Sequence, residues 1–98
     1  MRSIKIHRGM TSKICRVSGR VQGVYYRGTA VHRAREMGIS GYARNLPDGC
    51  VEVLAQGPDA AVAAFIEWLW IGSSASKVTQ VEVHDAAVAQ PREGFVSE

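Results

Sequence analysis

Apolar and polar positions change period several times along this chain, and each change predicts an element. From Thr11 to Ser18 the run Ile14-Cys15-Arg16-Val17-Ser18 alternates at period two, so a first strand is expected with Cys15 and Val17 on one face. Over about residues 27 to 37 the period lengthens. Ala30, Ala34 and Met37 recur at helical spacing, and Gly38 followed by Ile39 reads as a left-handed helix stop with its hydrophobic contact. Tyr42 to Asn45 makes a short second strand. Leu46-Pro47-Asp48-Gly49 then supplies turn chemistry, proline setting φ and glycine admitting positive φ, and a third strand returns over Cys50 to Gln56. Alternation there puts Val51, Val53 and Ala55 on one face and Cys50, Glu52, Leu54 and Gln56 on the other.

Gly57-Pro58-Asp59 starts a second helix, in which Val62, Phe65, Ile66 and Leu69 fall on one stripe and are expected to bury. Trp68 and Trp70 read as aromatic caps on that core rather than as a stacking platform. Gly72-Ser73-Ser74 ends the helix. Lys77 to His84, with Val81 and Val83 alternating, gives a fourth strand, and a turn over Pro91 to Gly94 leads to Phe95-Val96, enough for a short fifth. The order β-α-β-β-α-β describes an α+β, ferredoxin-like split βαβ fold, with two helices on one face of an antiparallel sheet. That architecture serves enzymes, metal carriers, regulators and RNA binders, so function has to come from side chains.

With 98 residues and 46% apolar content, the chain fits one ordinary globular domain. Residues 1–10 read as a basic, flexible N-terminal extension and 11–98 as the domain. No apolar run is long enough for a membrane span or a signal-peptide core, and a cytoplasmic monomer is the expectation. Cys15 and Cys50 lie outside any C-x-x-C pattern; on opposite strand faces they read as free thiols. The net charge of +3 hides an asymmetry: residues 1–44 hold ten Lys/Arg against Glu36 alone, and residues 45–98 hold two against eight Asp/Glu. A positive field for an anion or a nucleic acid is one reading of that half, and a solvated arm and helix face is the other.

The stretch Gly19-Arg20-Val21-Gln22-Gly23-Val24-Tyr25-Tyr26-Arg27 sits between the first strand and the first helix. Two glycines four apart let a loop turn its N–H groups together, and it feeds a helix N-terminus, which favours negative charge. Arg27 at the junction offers a permanently charged fork suited to two phosphate oxygens. No P-loop, nucleophile elbow or metal-ligand set accompanies it, and His7, His32 and His84 are scattered. Asn45, closing the second strand, is either a turn former or a second polar group of the site; that strand is expected to run antiparallel to the first, so its end lies near the cradle or away from it depending on the bend.

These residues carry a resemblance. Gly19 to Arg27, Gly41-Tyr42-Ala43-Arg44-Asn45 and Asp48-Gly49-Cys50-Val51-Glu52 resemble the signature segments of the acylphosphatase family, and the likeness extends over about residues 11 to 96. It implies hydrolysis of the carboxyl-phosphate bond of small acyl phosphates without metal or cofactor. Arg27 matches the family's phosphate-binding arginine and Asn45 the asparagine that orients the attacking water. Arg20, Val21, Gln22, Gly23, Val24, Tyr25 and Tyr26 match the loop whose N–H groups hold the phosphate. Departures are Ser73-Ser74 for a usual Gly-Pro, Tyr26 for phenylalanine and Ala43 for valine.

The lack of an acid or base suits that chemistry. A carboxylate leaving group, whose conjugate acid has a pKa of about 4, departs unprotonated. The loose transition state of phosphoryl transfer needs mainly positioning and charge neutralisation. The alternative is a non-catalytic anion- or RNA-binding module, but the third strand carries no aromatics for base stacking and no RNP1 pattern is present. The expected partner is therefore a small-molecule acyl phosphate, without nucleic acid or membrane.

Overall fold

Burial follows the predicted alternation in the first strand: Cys15 and Val17 are sealed in while Arg16 faces out, within β1, Met10–Arg20. The computed structural model describes residues 9–87 and 92–98. Most of the expected extension thus lies outside the described residues, and Met10 already belongs to β1.

The first helix, α1, is Tyr26–Glu36 and buries Ala30 and Ala34. It stops as its sequence predicts. Gly38 takes φ 71, and two hydrogen bonds close the last turn, Ile39 N–H to the Ala34 carbonyl at 2.8 Å and Gly38 N–H to that of Arg35 at 3.3 Å. Strands β2, Ser40–Asn45, and β3, Val51–Pro58, meet in the Leu46–Gly49 turn, where Leu46 N–H donates to the Cys50 carbonyl at 2.8 Å. Helix α2 follows as Asp59–Leu69, then β4 as Lys77–Asp85 and β5 as Phe95–Ser97.

The sheet order is β4-β1-β3-β2-β5. Four strands pair antiparallel, but β5 adds to the edge of β2 in parallel, so the expected antiparallel sheet is in fact mixed. The cause is geometric. A chain leaving β4 at one edge returns at the opposite edge, and its direction there is not bound by any tight turn.

Both helices cover the face carrying Cys15, Val17, Val51, Val53 and Ala55. Phe65 stands at the centre, stacked on Trp68 at 5.9 Å between centroids and meeting Phe95 edge-on at 5.7 Å. Burying each phenylalanine contributes about 2–3 kcal/mol. Two helix expectations need correcting: Ile66 is only partly buried, and Trp70 is 49% exposed, so Trp68 alone caps the core. Trp68 is i+3 from Phe65 and looks inward, whereas Trp70 is turned by two residues to the solvent side. Val83 likewise is exposed, since β4 is an edge strand that runs beyond the helix layer.

On the other face, Leu54 is buried although it points away from the helices. Arg92 lies over the Tyr42 ring at 5.1 Å, and its N–H donates to the buried Gln56 side chain at 3.0 Å, so this face is partly covered. Cys50 belongs to it as well, with its sulfur 3.4 Å from Ser18 Oγ. Both cysteines are free, with the sheet between them.

Candidate active site

β3 lies between β1 and β2 and is antiparallel to each, so β1 and β2 run in the same direction. The sequence reading had them antiparallel; the intervening strand corrects it. Their last residues, Arg20 and Asn45, therefore leave the sheet at the same end. Asn45 shares a face with Gly41 and the fully buried Ala43, the side on which the helices pack.

The turn from β1 into α1 is shorter than the predicted cradle. Gly19 and Arg20 still pair with β4, opposite Val78 and Lys77, after a bulge between Ser18 and Gly19. Gly19 has φ 117, and a Cβ there would lie 2.1 Å from the Lys77 carbonyl oxygen; its glycine serves strand contact. The free loop is residues 21–25. Buried Val21 roots it, Gly23 turns it at φ 77, and Tyr25 enters α1 in the left-handed region at φ 61.

No side chain caps the start of α1, and its first turn holds no acidic residue. Its N-terminal amides and positive dipole end are thus left unneutralised by the chain, in contrast to α2, which begins with Asp59. Arg27, one residue into α1, donates from Nη1 to the main-chain oxygen of Glu98 at 2.7 Å, which steadies one edge of its guanidinium.

Around this point opens a cleft of about 420 Å³ lined by Val21, Gly23, Tyr25, Tyr26, Arg27, Gly28, Asn45 and Ser97. It brings together six of the sequence-predicted site residues. Arg20, Gln22 and Val24 are not among its lining. Two lining residues, Gly28 and Ser97, escaped the sequence reading. Gly28 adjoins Arg27 and could have been included; Ser97 arrives only because β5 pairs with β2, setting Ser97 opposite Ala43.

The side chain of Gln22 reaches across to the β2–β3 turn, where its Nε2 donates to the carbonyls of Leu46 at 2.9 Å and Cys50 at 2.8 Å. The loop is held from the other flank by Ser73, whose Oγ donates to the Val24 carbonyl at 2.7 Å. This serine stands at one of the departures from the family pattern. Another is Tyr26, fully buried, whose hydroxyl donates to the Leu69 carbonyl at 2.7 Å. Burial raises its pKa far above the ordinary phenol value, so it remains a neutral strut.

His32 and His84 are exposed and face Glu36 and Glu82; neither lines the cleft, and His7 lies outside the described residues. Among the described residues, no three His, Cys, Asp or Glu side chains gather as a metal site would require. None of the helices there is long and apolar enough to cross a membrane. The two thiols differ. Burial pushes Cys15 up to about 11, whereas the Ser18 hydrogen bond and, more weakly, Arg16 hold Cys50 below the usual thiol value against the opposing effect of burial.

The chain is similar to known proteins over most of its length. The family model described as Acylphosphatase matches residues 13–97. The chain is 53% identical over 79 residues to an acylphosphatase of Alkalilimnicola ehrlichii, covering 81% of this chain and 88% of that one. Among solved structures, an acylphosphatase from Coxiella burnetii superposes with a TM-score of 0.87 at 31% identity, covering 93% of this chain and 95% of its own. One from Bacillus subtilis gives 0.85 at 34% identity, with 91% and 98% covered.

Proposed function

The chain belongs to the acylphosphatase family and is a hydrolase of the carboxyl-phosphate bond in small acyl phosphates; from that premise we propose how its residues divide the work. Arg27 and the main-chain N–H groups of the loop from Val21 to Tyr26 hold the phosphoryl oxygens; Arg20, paired with Lys77 in the sheet, drops out of the expected cradle. Asn45 aims the attacking water. The observation that carries this assignment is the shared cleft of Arg27 and Asn45, at a helix N-terminus with neither cap nor acid.

The division follows from charge. A phosphoryl group carries negative charge that spreads over its oxygens in the transition state, and a fixed guanidinium with amide donors neutralises it without reorganising. Asn45 is uncharged and cannot be a strong base. Its side-chain oxygen can accept a hydrogen bond from water and place the water oxygen in line with the departing carboxylate. The P–O bond to the acyl oxygen breaks as the water oxygen bonds to phosphorus. The electron pair leaves on the carboxylate, and the water proton passes to a phosphate oxygen. The monomeric chain acts alone on a free small molecule, without a metal.

The test is hydrolysis of acetyl phosphate by the wild type, Arg27→Ala and Asn45→Ala, each with and without chelator. Arg27→Ala is expected to lose both phosphate affinity and rate. Asn45→Ala is expected to lose rate, by about a hundredfold or more, with inhibition by inorganic phosphate kept. Full wild-type turnover in either variant would remove that residue from the mechanism, and loss of wild-type activity on chelation would overturn metal independence.

A further inference from the structure

Tyr25 is the only non-glycine among the described residues with a positive φ, at 61. A bulky aromatic is disfavoured in that region, where Gly or Asn would sit more easily. Its side chain is not retained for core packing, because it is 77% exposed. It does line the cleft shared by Arg27 and Asn45. The ring is also seated: a Cβ added at Gly28 would fall 2.3 Å from its Cε1 and Cζ and 2.8 Å from its hydroxyl oxygen, so it rests on the bare backbone of α1's first turn. Strained backbone, an absent side chain beneath and a ring left open to solvent all occur at the mouth of one site.

Resting on the assignment of the phosphoryl end to Arg27 and the loop, we propose that the Tyr25 ring is the contact for the acyl end. With the phosphoryl group on Arg27 and the loop amides, the acyl group it carries extends to the solvent side of the cleft, where the Tyr25 ring is exposed. A seated aromatic face there favours flat, apolar acyl groups. Tyr25 is therefore a specificity-determining residue, and its ring raises the selectivity of the site for a benzoyl over an acetyl group.

The experiment measures kcat/KM for benzoyl phosphate and acetyl phosphate with the intact chain, Tyr25→Phe and Tyr25→Asn. Asparagine tolerates the left-handed backbone and removes the ring. Comparing the ratio of the two substrates cancels damage common to both, and circular dichroism verifies folding. In Tyr25→Asn the benzoyl-to-acetyl ratio should fall about threefold to tenfold, mostly through KM for benzoyl phosphate, while Tyr25→Phe keeps it. A ratio in Tyr25→Asn equal to the wild type's, or one lost equally in Tyr25→Phe, overturns the proposal. Failure of the phosphoryl assignment reads differently: it appears as full activity in Arg27→Ala on both substrates, whatever the ratio.

Discussion

The carboxamide of Gln22 donates to the main-chain oxygen of Leu46 at 2.9 Å, fastening the loop before α1 to the residue that follows Asn45. A second hydrogen bond from the same nitrogen to the Cys50 carbonyl closes the bridge across the turn. The two halves of the site, from different strands, are thereby kept in one register.

Gln22→Ala should separate them without removing a main-chain N–H from the loop. Losing two hydrogen bonds of about 1 kcal/mol each is expected to lower kcat about tenfold, while inhibition by inorganic phosphate changes less than about twofold. Steady-state kinetics with phosphate as competitor checks it. Equal losses in both quantities would mean that Gln22 supports the loop alone.

Gly19→Ala should be among the most damaging single changes to the fold. Its Cβ would enter the Lys77 carbonyl at 2.1 Å with φ at 117, and β4 would have to move. A loss of about 3 kcal/mol or more in urea unfolding is expected. Stability within about 0.5 kcal/mol of wild type would show that the bulge can relax.

Stability should fall between pH 9 and 11. The buried Cys15 thiol, with an ordinary value of 9.0, titrates at about 11 in the folded chain, so over that window the unfolded chain has released a proton that the folded one keeps. The Cys15 contribution is full below pH 9 and disappears as pH rises through 11, amounting to about 3 kcal/mol at most. Tyr26, also shifted upward by burial, acts in the same sense at higher pH. Urea unfolding across this range should show the decline, shallower in Cys15→Ala.

The thiols should react unequally in the native chain. Cys50 has a lowered pKa beside Ser18 and Arg16, and Cys15 a raised one in the core. Iodoacetamide at pH 8, read by peptide mass spectrometry, is expected to label Cys50 at least about tenfold faster. Comparable rates would contradict the separation of the two by the sheet.

Most of the elements were legible because their signals are local. Period-two alternation located β1 and β3, Leu46-Pro47-Asp48-Gly49 made the hairpin, and Gly38 stopped α1. The residues that failed did so for tertiary reasons. Trp70 carries the same composition signal as Trp68 but lies on the wrong side of α2, and Leu54 points away from the helices yet is buried on a face that Arg92 helps to cover. Arg27 stood out as a candidate anion ligand from chemistry alone, because few other residue types combine permanent charge with a planar fork at a helix start.

What the sequence determined by itself was the set of parts: alternating strands, two helices, a glycine-bearing loop feeding a helix N-terminus and the arginine beside it. Tertiary structure decided which parts meet. Asn45 joins Arg27 because β3 inserts between β1 and β2 and makes them parallel, and Ser97 joins because β5 adds to β2 at the far edge. Periodicity fixes which face a residue takes within its own strand. Strand order is set by long-range burial and hydrogen bonding of the whole sheet, which no local window of residues contains.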